Sequence, residues 1–278
     1  AADAQPEARV LRVVGKVEIS FGPTGSWRAA QVDDALPPGA ALRTGAGARA
    51  EVILAAGIGR LYEHSLVRIP EGADAARSVD VAYGAASFDI RHRDDAPFEA
   101  RTPNAVALVK GTRFTVTADS AASTVAVQRG LVGVREPGSV AREILVHPGF
   151  GVTGSARRPF ALGLLSQKGD AWQGWTLGAA PPRPLPPAAE SEPPPASADT
   201  GEPAPRGEEN VSIRILAERG AKRVEIVGMG GVDATLTKRD LDQVLRGNSA
   251  VLGSALLAAL HARGVTPAAF AQQLLDGL

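Results

Sequence analysis

Residues 10 to about 154 consist of short apolar-rich runs, with clean apolar–polar alternation at 17–21, cut every few positions by glycine, proline, aspartate or asparagine. Such runs occur at 10–14, 17–21, 50–54, 60–62, 66–69, 79–83, 86–90, 98–101, 105–108, 113–117, 124–128, 132–135 and 143–146. A period of two is the signature of a strand with one buried face, because successive side chains point to opposite sides of a sheet. Many short strands at close spacing, with no helical period between them, predict a mainly β domain. Periodicity alone leaves sandwich, barrel and β-solenoid-like arrangements open.

The pattern changes after residue 154. The stretch 157–178 holds Phe160, Leu162, Leu164, Leu165, Trp172 and Trp175. On a helix Trp172 and Trp175 would share a face, and a cover packed on the β-domain is expected, with an exposed aromatic anchor as the alternative. Residues 181–205 contain ten prolines, interspersed mainly with Ala, Ser and Glu. Such a composition cannot bury enough apolar surface to offset its conformational entropy, so 179–207 is expected to be a disordered, polyproline-like spacer. Alternation returns at 211–215 and 222–227, an expected hairpin, and gives way to three helices. Thr237 and Asp240 form a capping-box-like start; 249–263 reads as a second helix; Thr266-Pro267 opens a third. The expected division is thus a flexible N-terminus (1–9), a β-domain with its cover (10–178), the linker (179–207) and a small α+β unit of one β-hairpin plus three helices (208–278).

Composition excludes several kinds of chemistry. Thirty Lys and Arg balance thirty Asp and Glu, so no global field draws the chain to nucleic acid. There is no cysteine, which removes disulfides, thiolate metal sites and cysteine nucleophiles. His64, His92, His147 and His261 lack metal-ligand spacing. Glu63 and His64 are adjacent, so on a strand they would face opposite ways, and a surface turn is the better reading. Asp94 and Asp95 sit in a charged stretch that reads as a solvated turn. The loop Gly228-Met229-Gly230-Gly231 has Asp233 where a dinucleotide fingerprint needs its third glycine. No metal, cofactor or catalytic residue is therefore expected, and the chain is read as not an enzyme. The longest apolar candidate, 251–260, is interrupted by Gly253 and Ser254 and falls short of the ~18–20 residues that span a bilayer. The opening Ala1-Ala2-Asp3-Ala4 is consistent with a mature end left by signal peptidase, which cuts after small residues.

One segment is more specific. Thr102-Pro103-Asn104-Ala105, followed by Gly111-Thr112-Arg113-Phe114 and a strand, resembles the core signature of the FecR domain. Further elements fall in family order: Gly15-Lys16-Val17, Pro38-Gly39 through Thr44-Gly45, the strand–glycine–strand at 50–62, the closing element around Gly130, and Val146-His147-Pro148-Gly149. The resemblance covers about 10–153. Physically, Gly111 and Gly130 permit chain reversals closed to other residues, Thr102-Pro103 sets an extended-to-turn transition, and Phe114 fills the core. Thr102, Pro103, Gly111, Thr112, Phe114 and Gly130 are therefore read as fold residues.

The resemblance implies a periplasmic or secreted protein, its signal peptide removed, that binds a protein partner of the bacterial cell envelope as an adaptor or signalling module. An envelope glycan is a second partner class. Members of this family relay iron-siderophore signals and regulate a sigma factor, a role that needs a membrane segment not seen in this sequence. A carbohydrate-binding or carboxylate-using enzyme is the remaining alternative. Expected contact residues are the charged loop with Arg91, Arg93, Asp94 and Asp95, then Trp172 and Trp175. Oligomeric state has no sequence signal.

Overall fold

The structure, a computed structural model, describes residues 8–22, 25–72, 75–91, 97–139, 143–155, 158–165, 172, 175–176, 212–218, 221–229 and 232–277. In chain order the strands are β1 (Arg9–Val14), β2 (Val17–Phe21), β3 (Arg28–Ala29), β4 (Ala40–Thr44), β5 (Arg49–Leu54), β6 (Gly57–Leu61) and β7 (Leu66–Arg68). They continue with β8 (Ser78–Ile90), β9 (Phe98–Arg101), β10 (Val106–Val109), β11 (Arg113–Ala118), β12 (Ala122–Arg129) and β13 (Val132–Arg135). The remainder are β14 (Glu143–Val146), β15 (Phe150–Ser155), β16 (Arg158–Leu164), β17 (Ser212–Glu218), β18 (Ala221–Met229) and β19 (Val232–Thr237). Three helices follow: α1 (Lys238–Leu245), α2 (Ser254–Ala262) and α3 (Pro267–Gly277).

The strands form two sheets that share β8. The first runs β1-β5-β6-β8-β11-β12-β15-β16-β17-β18-β19, antiparallel throughout. The second runs β3-β2-β4-β7-β8-β9-β10-β13-β14, with β8 and β9 its one parallel pair. The 13 residues of β8 pair with β7 and β9 through their first half and with β6 and β11 through their second. Gly84 is the pivot. Its φ is +89°, and a Cβ there would lie 2.4 Å from Ser65 Cα, so only glycine lets the strand pass from one sheet to the other.

The two sheets close on a core of Val, Ala, Leu, Ile and Phe, so the arrangement is a β-sandwich joined by a common strand. β5 buries Ala50, Val52 and Leu54 while Arg49, Glu51 and Ile53 face out, as its alternation predicts. Phe88 of the first sheet stacks on Phe114 at 5.3 Å and meets Phe98 of the second at 6.1 Å. At the N-terminus Ala8 is buried and its carbonyl accepts from the Leu36 N–H, so order begins before residue 10.

Two segments differ from the sequence reading. Arg158–Leu164, expected as part of a cover, is a strand paired with β15. The hairpin is three-stranded, because Val232–Thr237 pairs with β18 across a register shift between Ile226 and Met229. The three strands extend the first sheet through the register Leu162↔Ile213. The helices start and stop on local signals. Thr237 Oγ1 accepts from the Asp240 N–H at 3.3 Å, and Asp240 accepts from the Thr237 N–H at 2.8 Å. The expected helix over 249–263 is broken at Gly253 (φ +74°), with a 3-10 turn before it and α2 after.

α3 fastens the C-terminal unit to the sandwich. Gln273 is fully buried. Its Oε1 accepts from the His147 N–H, and its Nε2 donates to the Leu145 carbonyl at 2.7 Å. The side-chain amide thus takes the place of a neighbouring strand at the edge of β14. Phe270 stacks on Phe150 at 6.3 Å, and His147 Nε2 meets Asp276 Oδ2 at 2.8 Å. Buried residues of both parts belong to one continuous core. The expected linker, 179–207, lies outside the described residues.

Candidate interaction site on the first sheet

The signature residues divide between turns, where Pro103 is exposed and Thr102, Gly111 and Gly130 are half-buried, and the core. Thr102 Oγ1 accepts from the Ala105 N–H and donates to the Ala105 carbonyl, both at 2.8 Å, clipping the turn that Pro103 opens. Gly111 and Gly130 both have φ +84°. A Cβ on Gly130 would come within 2.7 Å of Thr112 Cγ2 and 2.9 Å of the Gly111 carbonyl, so the two turns nest against each other. Thr112 and Phe114 are fully buried.

Of the expected contact loop, Arg91 is exposed and its main-chain N–H donates to the Ala56 carbonyl. Arg93, Asp94 and Asp95 lie outside the described residues, as does His92. His64 is exposed in a turn at φ +51°, with Glu63 accepting from the Gly47 N–H at 2.6 Å. His261 is exposed on α2. Among the described residues no three His, Asp or Glu converge as metal ligands, and no helix is long and apolar enough to cross a membrane.

Trp172 and Trp175 are buried, at 9% and 2% exposure, against the outward face of the first sheet. Trp175 packs on Tyr62 and Ala85 and donates its indole N–H to the Leu61 carbonyl at 2.7 Å. Arg60 donates to the Trp172 carbonyl at 2.7 Å, and Arg49 donates to the Trp175 carbonyl. The Arg60 guanidinium lies 3.8 Å from the Trp172 ring centroid and 5.0 Å from that of Trp175. Arg113 lies 5.3 Å from the Trp172 ring. Glu51 fixes Arg60 at 2.7 Å; Asp89 fixes Arg113 at 2.6 Å and Arg129 at 2.9 Å. Beside this cluster runs a buried hydroxyl row. Ser87 bonds Thr115 at 2.8 Å, Gln128 donates to Thr115 at 3.1 Å, and Thr124 bonds Thr153 at 2.8 Å.

The residues receiving the tryptophans were not found from sequence. Arg49, Glu51, Arg60 and Arg113 come from three strands and meet only through cross-strand register, Glu51 opposite Arg60 and Arg113 opposite Asp89. The available signal was the placing of long charged side chains at outward positions in mid-strand. The second sheet carries its own outward charges. Trp27 stacks on Arg43 at 4.1 Å, and the Arg43 hydrogen bond holds the Glu18 carboxyl below its ordinary range. Burial pushes Asp80 upward against the opposing pull of Arg101 and Arg68.

Residues 40–133, from β4 to within β13, match the family model described as FecR protein. The chain carries a FecR domain. The matched region contains β8, the glycine pivot and the nested turns at Gly111 and Gly130, so the FecR segment is the centre of both sheets. Two crystal structures, each described as a "putative anti-sigma factor" from Parabacteroides distasonis ATCC 8503, are similar to the chain. One is 22% identical, covers 49% of this chain and 64% of its own, and has a TM-score of 0.41. The other is 21% identical, covers 49% and 63%, and also scores 0.41. The chain spans just under two thirds of their length. No curated protein matches the sequence.

Proposed function

We propose that this FecR-domain protein is a non-catalytic signalling or adaptor module outside the cytoplasm, which binds a protein partner in the bacterial cell envelope. The FecR match over residues 40–133 carries the reading, because that family works in signal relay by protein contact. The architecture is consistent with it. The signature residues are spent on turns and core, so recognition falls to the outward sheet faces and loops. The loop with Arg93, Asp94 and Asp95 remains a contact candidate on its charge.

The favoured form is a β-sandwich that receives a partner while the C-terminal unit, fastened through Gln273, stays part of the same body. A second form is the sigma-factor regulator, favoured by the same match, in which binding alters transcription of a small gene set. The test is capture from envelope extract on the immobilised full chain, with heat-denatured chain as the unfolded control. One saturable protein ligand, absent from the control, is the expected result. Binding of glycan alone, or turnover of an envelope component by the purified chain, would reject the proposal. Deletion of the gene followed by transcript profiling separates the two forms: a narrow regulon change identifies the regulator.

A further inference from the structure

The outward face of the first sheet already holds a peptide, and that peptide is the chain's own. Trp172 and Trp175 meet Arg60, Arg49 and Leu61 across sequence separations of 112, 126 and 114 residues. The receiving groups are fully formed on the strands. Two guanidiniums aim at main-chain carbonyls, the Leu61 carbonyl accepts an indole N–H, and Tyr62 with Ala85 forms the floor under Trp175. Glu51 and Asp89 pair with Arg60 and Arg113 at 2.7 and 2.6 Å, so strand carboxylates as well as the tryptophans orient the two guanidiniums. Bonds to main-chain carbonyls are indifferent to side-chain identity. The ring contacts and the indole bond are not, and they select aromatic residues.

We propose that this face is a peptide-recognition site whose ligand in trans is a partner-protein segment with two aromatic residues three positions apart, the pattern Trp172 and Trp175 supply in cis. Among the described residues, the arginines Arg49, Arg60, Arg113 and Arg129 border the tryptophans beside the carboxylates of Glu51 and Asp89. A partner segment with an acidic residue beside its aromatics fits best, and this chain's own segment has that composition, with Asp170 two residues before Trp172. The cis segment is tethered, so it competes at an effective concentration on the order of millimolar. The intact chain is therefore self-occupied, and a partner binds by displacing Trp172 and Trp175.

The inference rests on the binding-module reading and is separable from it. The probe is a fluorescent synthetic peptide of residues 168–178, followed by anisotropy against the full-length chain. A Trp172→Ala/Trp175→Ala chain should bind the probe saturably, at least about tenfold more tightly than the wild-type chain. Adding Arg60→Ala to that variant should abolish binding, and a probe with both tryptophans replaced by alanine should not bind. Should the double variant lose its thermal transition, Trp172→Ala alone is the loosened form, with the same expectation against wild type. A folded variant that leaves the probe free at about 1 mM, the edge of useful affinity, overturns the proposal. So does binding that survives Arg60→Ala, or equal binding of the tryptophan-free probe. A wild-type dimer formed in place of probe binding would assign the face to a second copy and overturn the partner assignment. Failure of the probe alongside saturable capture from envelope extract would remove this site and leave the binding-module function standing.

Discussion

Gln273→Ala should loosen the C-terminal unit by about 2–4 kcal/mol. Gln273 is fully buried, and its amide serves two main-chain groups at the edge of β14: the His147 N–H and the Leu145 carbonyl. Truncation leaves both without their partner. An unsatisfied buried polar group costs about 1–3 kcal/mol. Water reaching the edge beside His147, whose side chain is 22% exposed, relieves part of that cost. Gln273→Met preserves volume but not hydrogen bonding, so it should cost nearly as much if the polar bonds dominate, and much less if packing does. The assay is urea unfolding at fixed pH together with amide hydrogen exchange. The His147 amide should exchange about 30- to 700-fold faster in the alanine variant, at one decade per ~1.4 kcal/mol. A loss below about 0.5 kcal/mol with an unchanged His147 amide would refute the edge-capping role.

Three further outcomes follow from the fold. Gly84→Ala should cost about 3 kcal/mol or more, because it combines a positive φ with a Cβ 2.4 Å from Ser65 Cα; thermal melting checks it, and a near-native midpoint would contradict the shared-strand pivot. Phe114→Ala should cost about 3–5 kcal/mol by emptying the stack on Phe88, measured by denaturant unfolding. Asp80 bears on pH. Burial raises its carboxyl above the ordinary range, so folding favours the protonated form, and stability falls as pH rises from the unfolded pKa through the raised folded one. Asp80→Asn should therefore raise the melting temperature at neutral pH, and the gain should vanish in acid below the ordinary carboxylate range.

The sequence discloses what is local. The alternation of β2 and β5, the capping box at Thr237 and Asp240, and the Thr102 turn are written in residues a few positions apart, and the FecR-like order around Gly111 and Phe114 is written in a short motif. The alternation of β5 and the capping box reappear in the structure, whereas β2 departs from alternation at its end, where Ser20 is buried and Phe21 exposed. What spans the chain was not legible. β8 reads as two strands because Gly84 breaks the alternation, yet the backbone continues through it into the other sheet. β16 was missed because Phe160, Leu162 and Leu164 alternate within a stretch rich in apolar residues, where a cover and a strand look alike. The receiving arginines for Trp172 and Trp175, and the bond from Gln273 to β14, join residues more than a hundred positions apart. No periodicity encodes such pairs.

The proposed function has the FecR-domain chain bind a protein of the cell envelope. Site-specific photo-cross-linking in living cells tests it most directly, with the photoreactive residue placed in turn at exposed positions on the outward faces of both sheets. One discrete protein adduct is expected, confined to one face and recovered from the envelope fraction. Adducts spread evenly over both faces, or recovered only from the cytoplasm, would contradict it.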